Sequence, residues 1–111
     1  MSFKVVILEA AEQDLKEIRT YIIRNFSFET WQSTYENIKI SIRNLKEFPL
    51  AGAIPEEIEK LNLSQYRQVL SGMNRIIYEV RQDTLYIHII VDARRSMKSL
   101  LTRRLLRINQ E

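Results

Sequence analysis

The chain has 111 residues and a mass of 13.3 kDa, with 17 Lys and Arg against 14 Asp and Glu, a formal charge of +3 when its one histidine is neutral. At 45% apolar and 28% charged residues it has the composition of a single globular domain, 1–111, which excludes a disordered or collagen-like chain. The lack of cysteine removes a disulfide framework, a thiolate metal site and a cysteine nucleophile together, and with one histidine neither a metal nor a cofactor is expected.

In chain order, Phe3–Leu8 is short and β-branched and reads as a buried strand. Ala11, Leu15, Ile18 and Ile22 then fall at helical spacing among Glu12, Asp14, Lys16, Glu17 and Arg19, which predicts an amphipathic helix over 9–24. Asn25-Phe26-Ser27 interrupts it. Ser27 is a candidate cap for a second helix striped by Trp31, Tyr35, Ile38, Ile42 and Leu45 and ended by Pro49 and Gly52. Two helices with one apolar stripe each and a short connection predict an antiparallel hairpin that needs a further surface to cover it.

The second half supplies that surface. Leu50–Ser64, with both prolines and the acids Glu56, Glu57 and Glu59, reads as a loop or short helical turn with solvated carboxylates. Tyr66–Leu70, Asn74–Arg81 and Thr84–Val91 are strand-like runs separated by Ser71-Gly72-Met73 and Gln82-Asp83, an antiparallel meander. Asp92–Asn109 returns to helical spacing at Met97, Leu100, Leu101, Arg104, Leu105 and Ile108, with Ser96 or Asp92 as cap. The predicted order is β-α-α-β-β-β-α, an α+β fold with a helical hairpin on a mainly antiparallel sheet.

Charge is uneven along this order. Residues 1–90 hold 11 basic and 12 acidic side chains, whereas 91–111 hold 6 and 2. Arg94, Arg95, Lys98, Arg103, Arg104 and Arg107 have no acid interleaved, so ion pairs within the last helix cannot balance them. Such a field suits a polyanion or an acidic protein surface. Arg67, Arg75, Arg94 and Arg95 sit on or just after the meander strands, where sheet geometry can gather their forked guanidiniums at one end, or else each pairs with a surface glutamate. Alternation puts Arg75, Ile77 and Glu79 opposite Ile76, Tyr78 and Val80, and places His88 with Tyr86 and Ile90 as a packed, hydrogen-bonded histidine. The N-terminus lacks the basic start of a signal peptide and no run approaches the ~18 apolar residues of a bilayer span, so a cytoplasmic protein with no membrane partner is expected.

Taken together, the segment Asp14-Leu15-Lys16-Glu17-Ile18-Arg19-Thr20-Tyr21-Ile22, Phe48-Pro49, Tyr66-Arg67, Arg75-Ile76-Ile77-Tyr78-Glu79-Val80 and Asp92-Ala93-Arg94-Arg95, in this order, resemble the RelE/ParE superfamily of toxins from bacterial type II toxin-antitoxin modules. The resemblance implies a growth-arresting toxin, of a class associated with plasmid stabilisation, held in a hetero-oligomer by a cognate antitoxin. RelE-type members are ribosome-dependent mRNA interferases. Their basic and aromatic set falls here on Arg67, Val69, Arg75, Arg95 and Leu101, so Arg67, Arg75 and Arg95 are the catalytic candidates under that alternative, with ribosome and mRNA as partners. Val69 brings no charge and Leu101 no hydroxyl, and lost donors cost such a reaction ~10²-fold or more each. ParE-type members inhibit DNA gyrase without nuclease chemistry, and 94–105 resembles their basic, amphipathic ending. On that preferred reading Arg94, Lys98, Arg103, Arg104 and Arg107 bind the target, while Met97, Leu100, Leu101 and Leu105 dock the antitoxin or seal the sheet.

Overall fold

In the computed structural model, which describes residues 3–95 and 97–110 except for the side chains of 97 and 107–110, every expected element forms. Strand β1 (Lys4–Ile7) leads into helix α1 (Glu9–Asn25) and helix α2 (Phe28–Glu47). A 3-10 turn (Glu56–Leu61) precedes strands β2 (Tyr66–Ser71), β3 (Asn74–Arg81) and β4 (Thr84–Asp92), and helix α3 (Met97–Gln110) ends the chain. Ser27 caps α2 as expected, its hydroxyl accepting the Thr30 N–H at 3.0 Å. Gly72 takes a φ of +59° at the tight β2–β3 corner, a conformation open to glycine at no steric cost.

The strands form one mixed sheet in the order β1-β4-β3-β2, with β1 parallel to β4 and the other pairs antiparallel. Each face of the sheet has its own core. The helical hairpin covers one face, where Ala11, Ile38, Ile42 and Leu45 meet Ile76, Tyr78, Leu85, Ile87 and Ile90. Helix α3 and the 3-10 turn cover the other, where Leu101, Leu105, Ile58 and Leu63 meet Tyr66, Ile77, Ile89 and Val91. Burying a leucine of this kind contributes about 1.5–3 kcal/mol, so both layers are needed to hold a sheet this apolar.

Three expectations change. The first strand is not buried: β1 is an outer edge, with Lys4 and Val6 exposed and only Val5 and Ile7 turned toward the hairpin core. Its β-branched run gave no sign of which side would lack a neighbour. Ile90 is not on the face of His88 either. A bulge slips the β3–β4 register between Ile77 and Tyr78, so Ile77 pairs with Ile89 but Tyr78 with Ile87. The extra residue is His88, and the bulge resets the alternation that a period of two assumes. Lastly, Asp92 ends β4 and accepts hydrogen bonds from the Arg94 N–H and guanidinium, which leaves it no role as the cap of α3. The other candidate cap, Ser96, lies outside the described residues.

Candidate functional site

Strand β1 stops at Ile7, opposite Ile87, but β4 runs on to Asp92, so the edge of β4 beyond that point has no strand beside it. Unpaired edge groups buried between two helical layers would be costly. Two side chains satisfy them. Asp14, from α1 on one face, accepts the Ile90 N–H at 3.0 Å; Arg104, from α3 on the other, donates to the His88 carbonyl at 2.9 Å. The two then pair with each other around the edge, at 3.1 and 3.2 Å, with side chains 14% and 22% exposed. Arg104, expected to meet a target, therefore spends its guanidinium inside the protein.

Beside this edge opens a groove of about 1080 Å³ between the hairpin, the β2–β3 corner and the start of α3. Tyr21 and Phe26, which touch edge to face at 6.3 Å, form an exposed aromatic lip at the hairpin tip. Arg94, Arg95 and Arg103 rim the opposite side. Arg94 is paired with Asp92 and, in turn, holds that carboxyl below its ordinary range. Arg95, Lys98 and Arg103 are exposed and make no salt bridge among the described residues, although Arg95 lies near enough to Asp92 to add to the pull on its carboxyl. The side chains of Arg107 and Met97 lie outside the described residues.

The other two arginines are not gathered with these. Arg67 stands opposite Tyr78 in the β2–β3 register, on the hairpin side, and donates to the Gly52 carbonyl at 2.7 Å. Arg75 stands opposite Leu70 on the other face, and its Nη1 donates to both carboxylate oxygens of Glu57, at 2.9 and 2.8 Å. The sheet separates them. Glu57 is accordingly not a solvated loop acid, because the 3-10 turn lays it against β3. Tyr78 closes a small knot on the hairpin side: its hydroxyl donates to the Pro49 carbonyl at 2.8 Å and accepts the Gly52 N–H at 2.9 Å. Burial pushes this phenol above its usual range, outweighing the Gly52 N–H and the nearby Arg67.

His88 is packed and hydrogen-bonded, as expected. It is 3% exposed, its ring edge lies against Tyr66 at 5.0 Å between centroids, and its Nε2 lies 2.9 Å from Glu79 Oε1. For the carboxylate to accept, Nε2 carries the proton, which leaves Nδ1 buried without a partner. Desolvation lowers the histidine below its ordinary 6.5 in spite of Glu79. The folded state then resists a proton that the unfolded chain takes up, so stability should fall as pH drops below 6.5 and hold above it. Thermal midpoints measured from pH 7.5 down to 5 in wild type and His88→Gln check this: the variant should lose part of the acid-side slope, and identical slopes would refute the assignment.

Among the four apolar residues of α3 named as docking candidates, Leu101 and Leu105 have no exposed surface and seal the sheet, whereas half-buried Leu100 lines the groove. The Asp14–Arg104 clasp escaped the sequence reading. A signal for it existed, since Asp14 falls three residues after Ala11 and four before Ile18, on the apolar stripe itself. No group of three or more potential metal-ligating side chains occurs among the described residues, and none of the described helices is long and apolar enough to cross a membrane.

Comparison with known proteins agrees with this fold. Residues 5–97 match the model of the ParE toxin of the type II toxin-antitoxin system parDE. The fold is similar to a solved chromosomal ParDE toxin-antitoxin system from P. aeruginosa, with a TM-score of 0.68 and 15% identity over 82% of this chain and 96% of that one. It is also similar to the RelBE2 toxin-antitoxin complex from Mycobacterium tuberculosis, with a TM-score of 0.58 and 17% identity over 83% and 99% of the two chains. No curated protein matches it in sequence.

Proposed function

The chain belongs to the ParE toxin family of type II toxin-antitoxin systems, and from that premise we propose that it arrests growth by docking on DNA gyrase, without cleaving RNA. The observation that carries this reading is the division of the arginines. Arg67 and Arg75 lie on opposite faces of the sheet and are engaged by Gly52 and Glu57, and Leu101, where a nuclease would need a hydroxyl, is fully buried. In-line attack by a ribose hydroxyl requires a proton acceptor and phosphate-stabilising donors converging within hydrogen-bond reach of one point. Arg95, Lys98 and Arg103 by contrast are exposed and outside any salt bridge among the described residues, suited to an acidic protein surface or DNA phosphates. The antitoxin would fill the groove with an apolar segment against Tyr21, Phe26 and Leu100 and set its acids against Arg95 and Arg103.

Inducing the toxin and examining the lesion tests this. Gyrase-DNA cleavage complexes and an SOS response with intact messages are expected, and Arg67→Ala or Arg75→Ala should lower activity only in proportion to lost stability. Codon-register cuts in translated mRNA, abolished by either substitution in a folded protein, would overturn the proposal.

A further inference from the structure

We propose that Asp14 is a positioning residue that fixes the register of the basic helix α3 through Arg104, and so decides where Lys98 and Arg103 point. The functional half rests on the reading that this helix meets the target; the register half does not. Helix α3 is held to the sheet by Leu101 and Leu105, one turn apart. Apolar burial is proportional to area and indifferent to direction. The fully buried row itself repeats at one turn, Leu101 being followed by Leu105 four residues on. A helix slid by about one turn, roughly 5 Å, would bring one of the pair Leu101 and Leu105 to the place of the other and move every cation of the helix by the same distance. Hydrophobic contact alone therefore specifies the position of α3 weakly.

The clasp at the β4 edge removes that freedom. Arg104 meets three fixed acceptors together: both oxygens of Asp14, at 3.1 and 3.2 Å, and the His88 carbonyl at 2.9 Å. Asp14 is itself fixed by the Ile90 N–H. A planar fork between a carboxylate and a backbone carbonyl has one satisfied arrangement, and a one-turn slide would leave a buried acid and a strand edge without partners. Arg103, the next residue along, is turned to solvent because Arg104 is turned in.

Asp14→Asn tests this most cleanly, since the amide oxygen can still accept the Ile90 N–H while the charge that holds Arg104 is gone. Arg104→Lys is the conservative partner, able to reach Asp14 or His88 but not both in the same way. In the purified full-length toxin, amide exchange across 98–106 should speed up by about tenfold or more in Asp14→Asn and less in Arg104→Lys, with β3 and β4 protection unchanged. The double variant should be no worse than the worse single one. Unchanged exchange in α3 for both single variants would overturn the positioning role whatever the target is. Looser α3 with gyrase inhibition intact would leave the register role standing and overturn instead the reading that α3 meets gyrase. If Asp14→Asn does not fold, Arg104→Lys carries the same comparison.

Discussion

Replacing Gly52 by alanine is expected to cost about 2–4 kcal/mol of stability and lower the thermal midpoint by roughly 10–20 °C, among the largest effects of any single substitution in this chain. A Cβ there would lie 2.6 Å from the Gln68 carbonyl oxygen and 2.7 Å from the Tyr78 hydroxyl. The first neighbour is backbone and cannot swing aside. It is also paired: Ala53 and Gln68 exchange two hydrogen bonds, at 3.1 and 2.8 Å, which bridge the 3-10 turn's leading segment to the outer edge of β2. Relieving the contact means breaking that bridge or pushing Tyr78 out of the hairpin-side core. Tyr78→Phe separates the two costs. Without the hydroxyl, the Gly52 N–H and Pro49 carbonyl lose their partner, for about 1–3 kcal/mol. The double variant should lose less than the sum, because one of the three contacts under 3.0 Å disappears with the hydroxyl, leaving the Gln68 carbonyl and the ring carbon Cε1 at 2.9 Å. Denaturant unfolding of all three proteins measures this, and a Gly52→Ala protein as stable as wild type would mean the loop does not sit where it is described.

The second large effect should be functional and leave stability alone. Changing Arg95, Lys98 and Arg103 together to alanine removes three exposed cations that make no salt bridge among the described residues, so the fold should keep its stability to within about 0.5 kcal/mol. If the toxin docks on gyrase as proposed, inhibition should fall on the order of 10²-fold, mainly through slower association, and the wild-type potency should itself weaken as salt is raised. Arg94→Ala is the matched comparison, smaller in effect because its charge is already offset by Asp92 at 2.6 Å. The measurement is a supercoiling titration at two ionic strengths beside a melting curve. Undiminished, salt-insensitive inhibition by the triple variant would remove the basis for a cationic docking surface.

Much of this molecule is legible in one dimension because its elements are periodic. The stripe Trp31, Ile38, Ile42 and Leu45 is buried as a 3.6-residue period requires, and only Tyr35 of that row stays exposed, stacked on Trp31 at 5.2 Å. Ser27 announced the start of α2, and Ser71-Gly72-Met73 and Gln82-Asp83 announced the corners on either side of β3. Asp14 could have been singled out as a carboxylate on an apolar row, but nothing local says that its partner is 90 residues away. His88 defeated strict alternation because a bulge depends on the neighbouring strand, and a single strand read by itself cannot reveal it.

The sequence by itself therefore determined the kinds of element, their order, the family and the concentration of charge at the C-terminal end, all of which are properties of short windows or of composition. Only the tertiary structure decided which arginines are free. Arg67, Arg75, Arg94 and Arg104 each meet an acceptor from a different part of the chain or from a turn that folding creates, whereas Arg95, Lys98 and Arg103 make no salt bridge among the described residues. The reason is physical: a guanidinium's partner is fixed by distance and direction in space, and those follow from how two cores clamp the sheet and leave one edge of β4 to be closed by side chains.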